Sequence, residues 1–203
     1  MKALITGKDG QLGNELQRSV PEGWELLAYD LDKLDITSPK EIERVVDEYN
    51  PDIVINAAAY TNVDKAEKDQ ELAFQVNANG ALNLATIAKN RNIKLVHIST
   101  DFVFSGKHNT PYATNVEVDP VGIYGKSKAD GERAILEIYP GGSAIIRTSW
   151  LYSCHGNNFV KTMLKLMENR NAIKVVSDQI GSPTWASDLA KAIWAFCDNF
   201  SSG

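Results

Sequence analysis

The sequence predicts an α/β fold, a doubly wound parallel sheet with helices on both faces, over the whole of residues 1–203. Three observations predict it. Short apolar runs of strand length, Ala3–Ile5, Trp24–Tyr29, Asp52–Asn56, Ile93–Ile98 and Ala144–Arg147, alternate with longer stretches of helical period. Glycines at steps of three, Gly7, Gly10 and Gly13, close the first run directly before a helix-like pattern. Polar residues able to do chemistry recur just after the runs, where a parallel sheet gathers the carboxyl ends of its strands along one edge.

Composition sets the bounds. A chain of 203 residues suits one α/β domain, and folding at this size removes roughly 70% of the unfolded chain's surface from water. Lys and Arg number 21 against 26 Asp and Glu, a net charge of −5 with no basic run, so nucleic acid is not an expected partner. Cys154 and Cys197 have no paired spacing, and adjacent Cys154 and His155 read as loop residues, so neither a disulfide nor a metal site is expected. No signal peptide and no apolar run of membrane length is evident, which makes a cytoplasmic location the expectation and a membrane an unexpected partner.

After the first strand, the glycines let the backbone lie close to an anion, because they accept positive φ and carry no Cβ. The helix opening at Gln11 aims its free N–H groups at the same place. The spacing is Gly-x-x-Gly-x-x-Gly rather than Gly-x-Gly-x-x-Gly, and no Gly-Lys-Ser/Thr ending follows. A Rossmann-type turn on a dinucleotide pyrophosphate therefore fits better than a nucleoside-triphosphatase. The helix is expected to reach about Val20, and Trp24–Tyr29 then ends at Asp30. A carboxylate about 20 residues past the glycine turn accepts hydrogen bonds from an adenosine ribose and repels a 2′-phosphate, which slightly favours NADH over NADPH. Asp32 and Asp35 stand close by.

Ser38 is the expected cap of the next helix, with Pro39 at its first position and Glu41 three residues after the cap. That helix carries Ile42, Val45, Val46 and Tyr49 and stops at Asn50-Pro51. The third strand delivers Asn56-Ala57-Ala58-Ala59-Tyr60-Thr61, whose alanines leave room for a ligand against the backbone. Asp64 to about Arg91 reads as helix, with Leu72, Val76, Leu82, Leu84, Ile87 and Ala88 as its apolar stripe. Within it Asn77 and Asn79 are poor helix formers that must pack or bond something. The fourth strand ends in Ser99-Thr100-Asp101, and a loop rich in Gly, Asn, Thr and Pro follows from Ser105 to Pro120, a length typical of functional or disordered segments.

Val121 opens a helix on which Tyr124 and Lys128, four residues apart, share a face. A phenol has a reference pKa of about 10, too high for ready proton donation at neutral pH, and an ammonium within about 4–6 Å lowers it. The pair is a candidate general acid with its tuner, and Thr100 a candidate donor to a carbonyl oxygen. Tyr-x-x-x-Lys alone is common on helix surfaces. Its weight comes from its place in the series after the glycine turn, the acid, Asn-Ala-Ala and Ser-Thr-Asp. A helix from about Asn158 to Asn169, a strand Ile173–Val176 and a closing helix Ala186–Phe200 complete the expected elements.

The series Gly7-x-x-Gly10-x-x-Gly13, Asn56-Ala-Ala-Ala59, Ser99-Thr100-Asp101 and Tyr124-x-x-x-Lys128 resembles the extended short-chain dehydrogenase/reductase superfamily. Within it Gly10-Gln-Leu-Gly13, Val63-Asp64-Lys65-Ala66-Glu67, Arg147-Thr-Ser-Trp150, Gly156-Asn-Asn-Phe-Val-Lys-Thr-Met163 and Asp178-Gln-Ile-Gly-Ser-Pro-Thr184 resemble the dTDP-4-dehydrorhamnose reductase family, over nearly the whole chain. The resemblance implies NAD(P)H-dependent reduction of the 4-keto group of a dTDP-6-deoxysugar, giving dTDP-L-rhamnose for cell-surface polysaccharide. It implies that Tyr124 donates the proton, that Lys128 binds the nicotinamide ribose and tunes Tyr124, and that Thr100 holds the carbonyl oxygen. Asp101 and Trp150 would face the sugar, while Gln11, Leu12, Asp30, Asp35, Ile36, Ala59, Tyr60 and Thr61 would line the dinucleotide.

Residues from about 150 onward are expected to begin a substrate region, with most of the sizeable C-terminal segment that the resemblance implies expected to be absent. A homodimer is also implied. Of the acids that hold magnesium between family protomers, Glu15 matches one, whereas Ser187 stands at another, so no metal is expected. Two other readings stay open. A sibling epimerase or dehydratase is disfavoured by Pro183-Thr184 and Gly156-Asn-Asn. A nucleotide-binding regulatory protein without turnover is disfavoured by the presence of Tyr124, Lys128 and Thr100.

Overall fold

Five short apolar strands, β1 (Lys2–Thr6), β2 (Glu25–Tyr29), β3 (Ile53–Asn56), β4 (Lys94–Thr100) and β5 (Ser143–Thr148), form one parallel sheet in the order β2-β1-β3-β4-β5. The computed structural model describes residues 1–200; Ser201, Ser202 and Gly203, counted in the expected domain, lie outside the described residues. Strand order reverses between β1 and β3, and a doubly wound sheet binds its ligand at that point. Register sets the carboxyl ends level. Thr6 pairs with Tyr29 on one side and Asn56 on the other, Asn56 pairs with His97, and Thr100 with Thr148.

Alternation along the strands makes two cores. Ala3, Ile5, Ile53 and Ile55 pack against α1 (Gln11–Arg18) and α8 (Ala186–Asp198), where Leu16, Ile193 and Trp194 are buried. Leu4 and Val54 face the other way, onto α2 (Pro39–Tyr49), α5 (Gly80–Arg91) and α6 (Ile123–Ile138), meeting Ile42, Leu84 and Ile135. Both faces being covered, the strands read as unbroken apolar runs rather than as alternating ones. Each fully buried Leu or Ile contributes about 1.5–3 kcal/mol from its removal from water.

Several segments depart from the expectations above. The helix expected from Asp64 to Arg91 is broken into α3 (Val63–Ala66), α4 (Gln70–Phe74), one π-turn at Gln75–Asn79, and α5. Asn62 starts α3 by accepting the Lys65 N–H at 3.0 Å, and the π-turn directs Asn77 into the protein. Ser38 does sit at the start of α2, but its hydroxyl makes no capping bond; Glu41 instead accepts the Asp35 N–H at 2.9 Å. The expected strand Ile173–Val176 is irregular, with Val175 and Val176 exposed and no strand beside it among the described residues. An unexpected parallel pair, β6 (Leu151–Tyr152) and β7 (Thr184–Trp185), joins the Trp150 segment to the Pro183 segment. The helix α7 (Phe159–Asn169) forms as expected, yet buries none of its residues and leaves Phe159, Val160, Leu164 and Met167 exposed. Among the described residues no helix is long and apolar enough to cross a membrane.

Candidate active site

The level strand ends and the loops that follow them enclose a cleft of about 850 Å³. All of the residues that the sequence assigned to dinucleotide, sugar or catalysis line it, from Gly7 and Asp30 at one end to Tyr124 and Trp150 at the other. Leu72 and Val76, read from sequence as core stripe, line the cleft too, together with Leu34, Val63, Phe102 and Thr148. Helical period alone cannot tell a stripe that meets the core from one that meets a ligand cleft.

The glycine turn is pressed against the start of the alanine run. Gly7 has φ +75°, and a Cβ there would lie 2.6 Å from Ala58 N. A Cβ on Gly13 would overlap the Gly7 carbonyl oxygen and stand 2.7 Å from Lys8 Cα. Only glycine permits this packing. Helix α1 begins after Gly10 with no side-chain cap, so its first-turn amides are left for an anion. Asp30, expected at the ribose, has its carboxylate accepting the Asp9 N–H at 3.0 Å and the Leu31 N–H at 2.8 Å, which ties the turn to the end of β2. Buried Ser99 Oγ and Thr148 Oγ1, in two of the residues lining the cleft, have no protein partner. A glycine cradle, uncapped amides, a carboxylate at β2 and unpaired hydroxyls fit a dinucleotide.

Asn77, buried by the π-turn, explains the odd helix former. It accepts the Tyr60 N–H at 2.9 Å and donates to the Tyr60 carbonyl and to Ser127 Oγ, each at 3.0 Å, so it clamps the Tyr60 backbone to α6. Gln11 performs a similar task beside β6, accepting from Asn158 Nδ2 at 2.8 Å and donating to the Leu151 carbonyl at 3.4 Å. Trp150 holds φ +45°, unusual for a bulky residue, and is 46% exposed at the cleft.

Tyr124 packs edge-on to Phe102 at 5.6 Å. Burial raises its pKa above the ordinary phenol value, the Thr100 hydroxyl opposes that rise, and the Asp101 charge adds to it. Thr100 Oγ1 donates to Asp101 at 3.2 Å and accepts the Phe102 N–H at 3.2 Å. Burial raises Asp101 as well. Lys128 is fully buried, its Nζ donating to the Ile98 carbonyl at 2.7 Å and meeting His97 Nε2 at 3.1 Å. Burial lowers its pKa to about 8, against an upward pull from Glu132. The Lys128 amine, expected to tune Tyr124, is turned onto β4 in this arrangement, and burial pushes the phenol above its ordinary range.

Outside the cleft, Glu15, Cys154 and His155 bring three possible ligand atoms within 4.8 Å of one another, where no metal was expected. The Glu15 carboxylate accepts from Ser153 at 2.9 Å and lies 3.9 Å from His155 Nε2, and Arg18 and Lys191 line the same hollow.

A doubly wound parallel sheet, a glycine turn at its switch point, and a helix carrying Tyr124 and Lys128 along the cleft wall define a dinucleotide-fold protein of the short-chain dehydrogenase/reductase type. Known proteins narrow this further. The RmlD substrate binding domain family matches residues 1–202. The chain is 44% identical over 194 residues to the dTDP-4-dehydrorhamnose reductase of Aggregatibacter actinomycetemcomitans, covering 95% of this chain and 66% of that protein. A dTDP-4-dehydrorhamnose reductase from Bacillus anthracis, solved in complex with NADP, is similar at 44% identity and a TM-score of 0.96, covering 100% of this chain and 72% of that one. The Clostridium acetobutylicum structure of that description is similar at 42% identity and 0.94, covering 98% and 71%. The chain belongs to the dTDP-4-dehydrorhamnose reductase family and spans about two thirds of the length of such relatives.

Proposed function

We propose that the protein reduces the 4-keto group of dTDP-4-dehydro-L-rhamnose to give dTDP-L-rhamnose, with NADH or NADPH as the reductant. The observation that carries the reading is the meeting, in one cleft, of the Gly7–Gly13 turn with Thr100, Tyr124 and Lys128. Similarity over the whole chain to proteins named for this reaction supports it.

The reduced nicotinamide supplies the hydride when bound. The chain supplies position, a proton and a place for negative charge. The amides of Gln11 and Leu12 at the start of α1 take the pyrophosphate, Asp30 and Asp35 take the adenosine ribose, and Ile36, Ala59, Tyr60 and Thr61 line the remainder. Tyr124 gives its proton to the carbonyl oxygen; a phenol whose pKa burial has raised keeps that proton until charge develops on the oxygen. Thr100 turns its hydroxyl from Asp101 to the same oxygen and holds it. Lys128 binds the nicotinamide ribose and, when charged, steadies the phenolate that Tyr124 leaves. Asp101 and Trp150 orient the sugar. The same reading carries a cytoplasmic location, beside the nucleotide cofactors, and a homodimer. The test mixes the chain with NADH or NADPH and dTDP-4-dehydro-L-rhamnose and follows the absorbance of the reduced cofactor. Sugar-dependent oxidation supports the reading; tight cofactor binding without oxidation contradicts it and favours a regulatory protein.

A further inference from the structure

A file of buried polar groups crosses the sheet behind the cleft: Thr6 on β1, Asn56 on β3, His97 on β4 and Lys128 on α6, each 1% exposed. Their hydrogen bonds determine where the protons are. The Ala58 N–H, which can only donate, meets the Asn56 side chain at 3.2 Å, so the atom there is the amide oxygen; the Thr6 hydroxyl donates to the same oxygen at 2.6 Å. The Asn56 amide nitrogen therefore faces His97 Nδ1, at 2.9 Å, and an amide nitrogen only donates. His97 Nδ1 must hold a lone pair. A neutral ring then carries its proton on Nε2, and that N–H points at Lys128 Nζ, 3.1 Å away. An ammonium has three donors and no acceptor, so it cannot receive this bond; a neutral amine can, and still donates to the Ile98 carbonyl at 2.7 Å.

We propose that His97 is a positioning residue that reads the charge of Lys128: the neutral amine docks on the His97 Nε2–H inside the sheet, and the ammonium leaves His97 for the cleft. The docking rests on hydrogen-bond geometry alone; its catalytic consequence rests on the reductase reading, in which only the charged amine can steady the Tyr124 phenolate. Charged and titratable groups around the amine come from three elements. Glu132, one turn along α6, attracts the ammonium, but its carboxylate is already held by Arg147 of β5 through bonds of 2.9 and 2.6 Å. His97 of β4 offers only a donor, and burial holds it neutral, well below its ordinary range. Tyr124 on α6 and Asp101, beyond the end of β4, lie on the cleft side. With burial dominant and Lys128 at about 8, the docked form gains as pH rises through that value and the cleft-facing ammonium gains as it falls.

The test is nuclear magnetic resonance on the whole chain. The ring nitrogens of His97 should report a neutral, Nε2-protonated tautomer from pH 6 to 9; an Nδ1-protonated or doubly protonated ring overturns the proposal, and this measurement needs no variant. The Lys128 Cε shift, assigned by its loss in Lys128→Met, should titrate near pH 8. In His97→Gln, whose amide oxygen can accept from an ammonium, the midpoint should rise by about one unit or more, a tenfold or greater change in the amine's proton affinity. An unmoved midpoint overturns the proposal. In the reductase assay the alkaline fall in kcat should move upward with the same midpoint, and a fall that stays put overturns the catalytic consequence. Absence of turnover in the unaltered chain counts against the reductase reading instead, and leaves the two resonance measurements to decide the docking.

Discussion

Replacing Gly13 by alanine tests the cradle at its tightest point. The new methyl would overlap the Gly7 carbonyl oxygen and stand 2.7 Å from Lys8 Cα, whereas ordinary contact begins at 3.4 Å, so Lys8 must retreat by about 0.7 Å and the Gly7 carbonyl by more. Backbone shifts forced by an added methyl cost about 1–3 kcal/mol. The strain falls on the segment whose amides would hold the pyrophosphate, and at about 1.4 kcal/mol per decade the dissociation constant for NADH should rise roughly tenfold to a hundredfold. Thermal unfolding should fall by about 2–4 °C for each kcal/mol of strain that stays in the folded chain. Fluorescence titration with NADH and a melting curve read the two quantities. Gly141→Ala is the control, since a Cβ there meets nothing within 4 Å. If Gly13→Ala binds NADH and melts as the unaltered chain does, the turn is not packed as described.

Two further outcomes follow from the cleft walls. Asn77→Ala should lower the unfolding free energy by about 0.5–1.5 kcal/mol for each of the two part-buried hydrogen bonds to the Tyr60 backbone that it removes, and should weaken cofactor binding through the loosened Tyr60 segment; equal urea midpoints would show that the clamp bears no load. NADH should bind more tightly than NADPH because the Asp30 carboxylate stands at the end of β2. Equal dissociation constants would remove Asp30 from the ribose and leave it only its bonds to the Asp9 and Leu31 amides.

The sheet was legible because both its faces are buried: runs such as Ile53–Asn56 have no polar alternation to confuse with a surface strand. The glycine turn was legible because close approach leaves a mark in residue type at Gly7 and Gly13. The π-turn between α4 and α5 was hidden, since it keeps nearly helical spacing; only the awkward Asn77 and Asn79 pointed to it, and the partners of Asn77, Tyr60 and Ser127, are 17 and 50 residues away. Ile173–Val176 misled because β-branched residues outside a sheet look like strand in sequence. At the site, Tyr124 and Lys128 were found from spacing and order, but spacing on one helix cannot say where a flexible amine points. Its partners, His97 and the Ile98 carbonyl, lie on β4, and burial rather than neighbouring charge sets the direction of both pKa shifts.

Turnover by Tyr124→Phe, measured beside its affinity for NADH, tests the central claim most directly. The substitution removes one hydroxyl and keeps the ring that packs on Phe102, so the cleft and its hold on the cofactor should persist. Sugar-dependent oxidation of NADH should fall by about a hundredfold to ten-thousandfold, the usual worth of a positioned proton donor, with the dissociation constant of NADH unchanged. A phenylalanine variant that oxidises NADH as fast as the unaltered chain would mean that the proton comes from elsewhere, and that Tyr124 and Lys128 are not the catalytic pair.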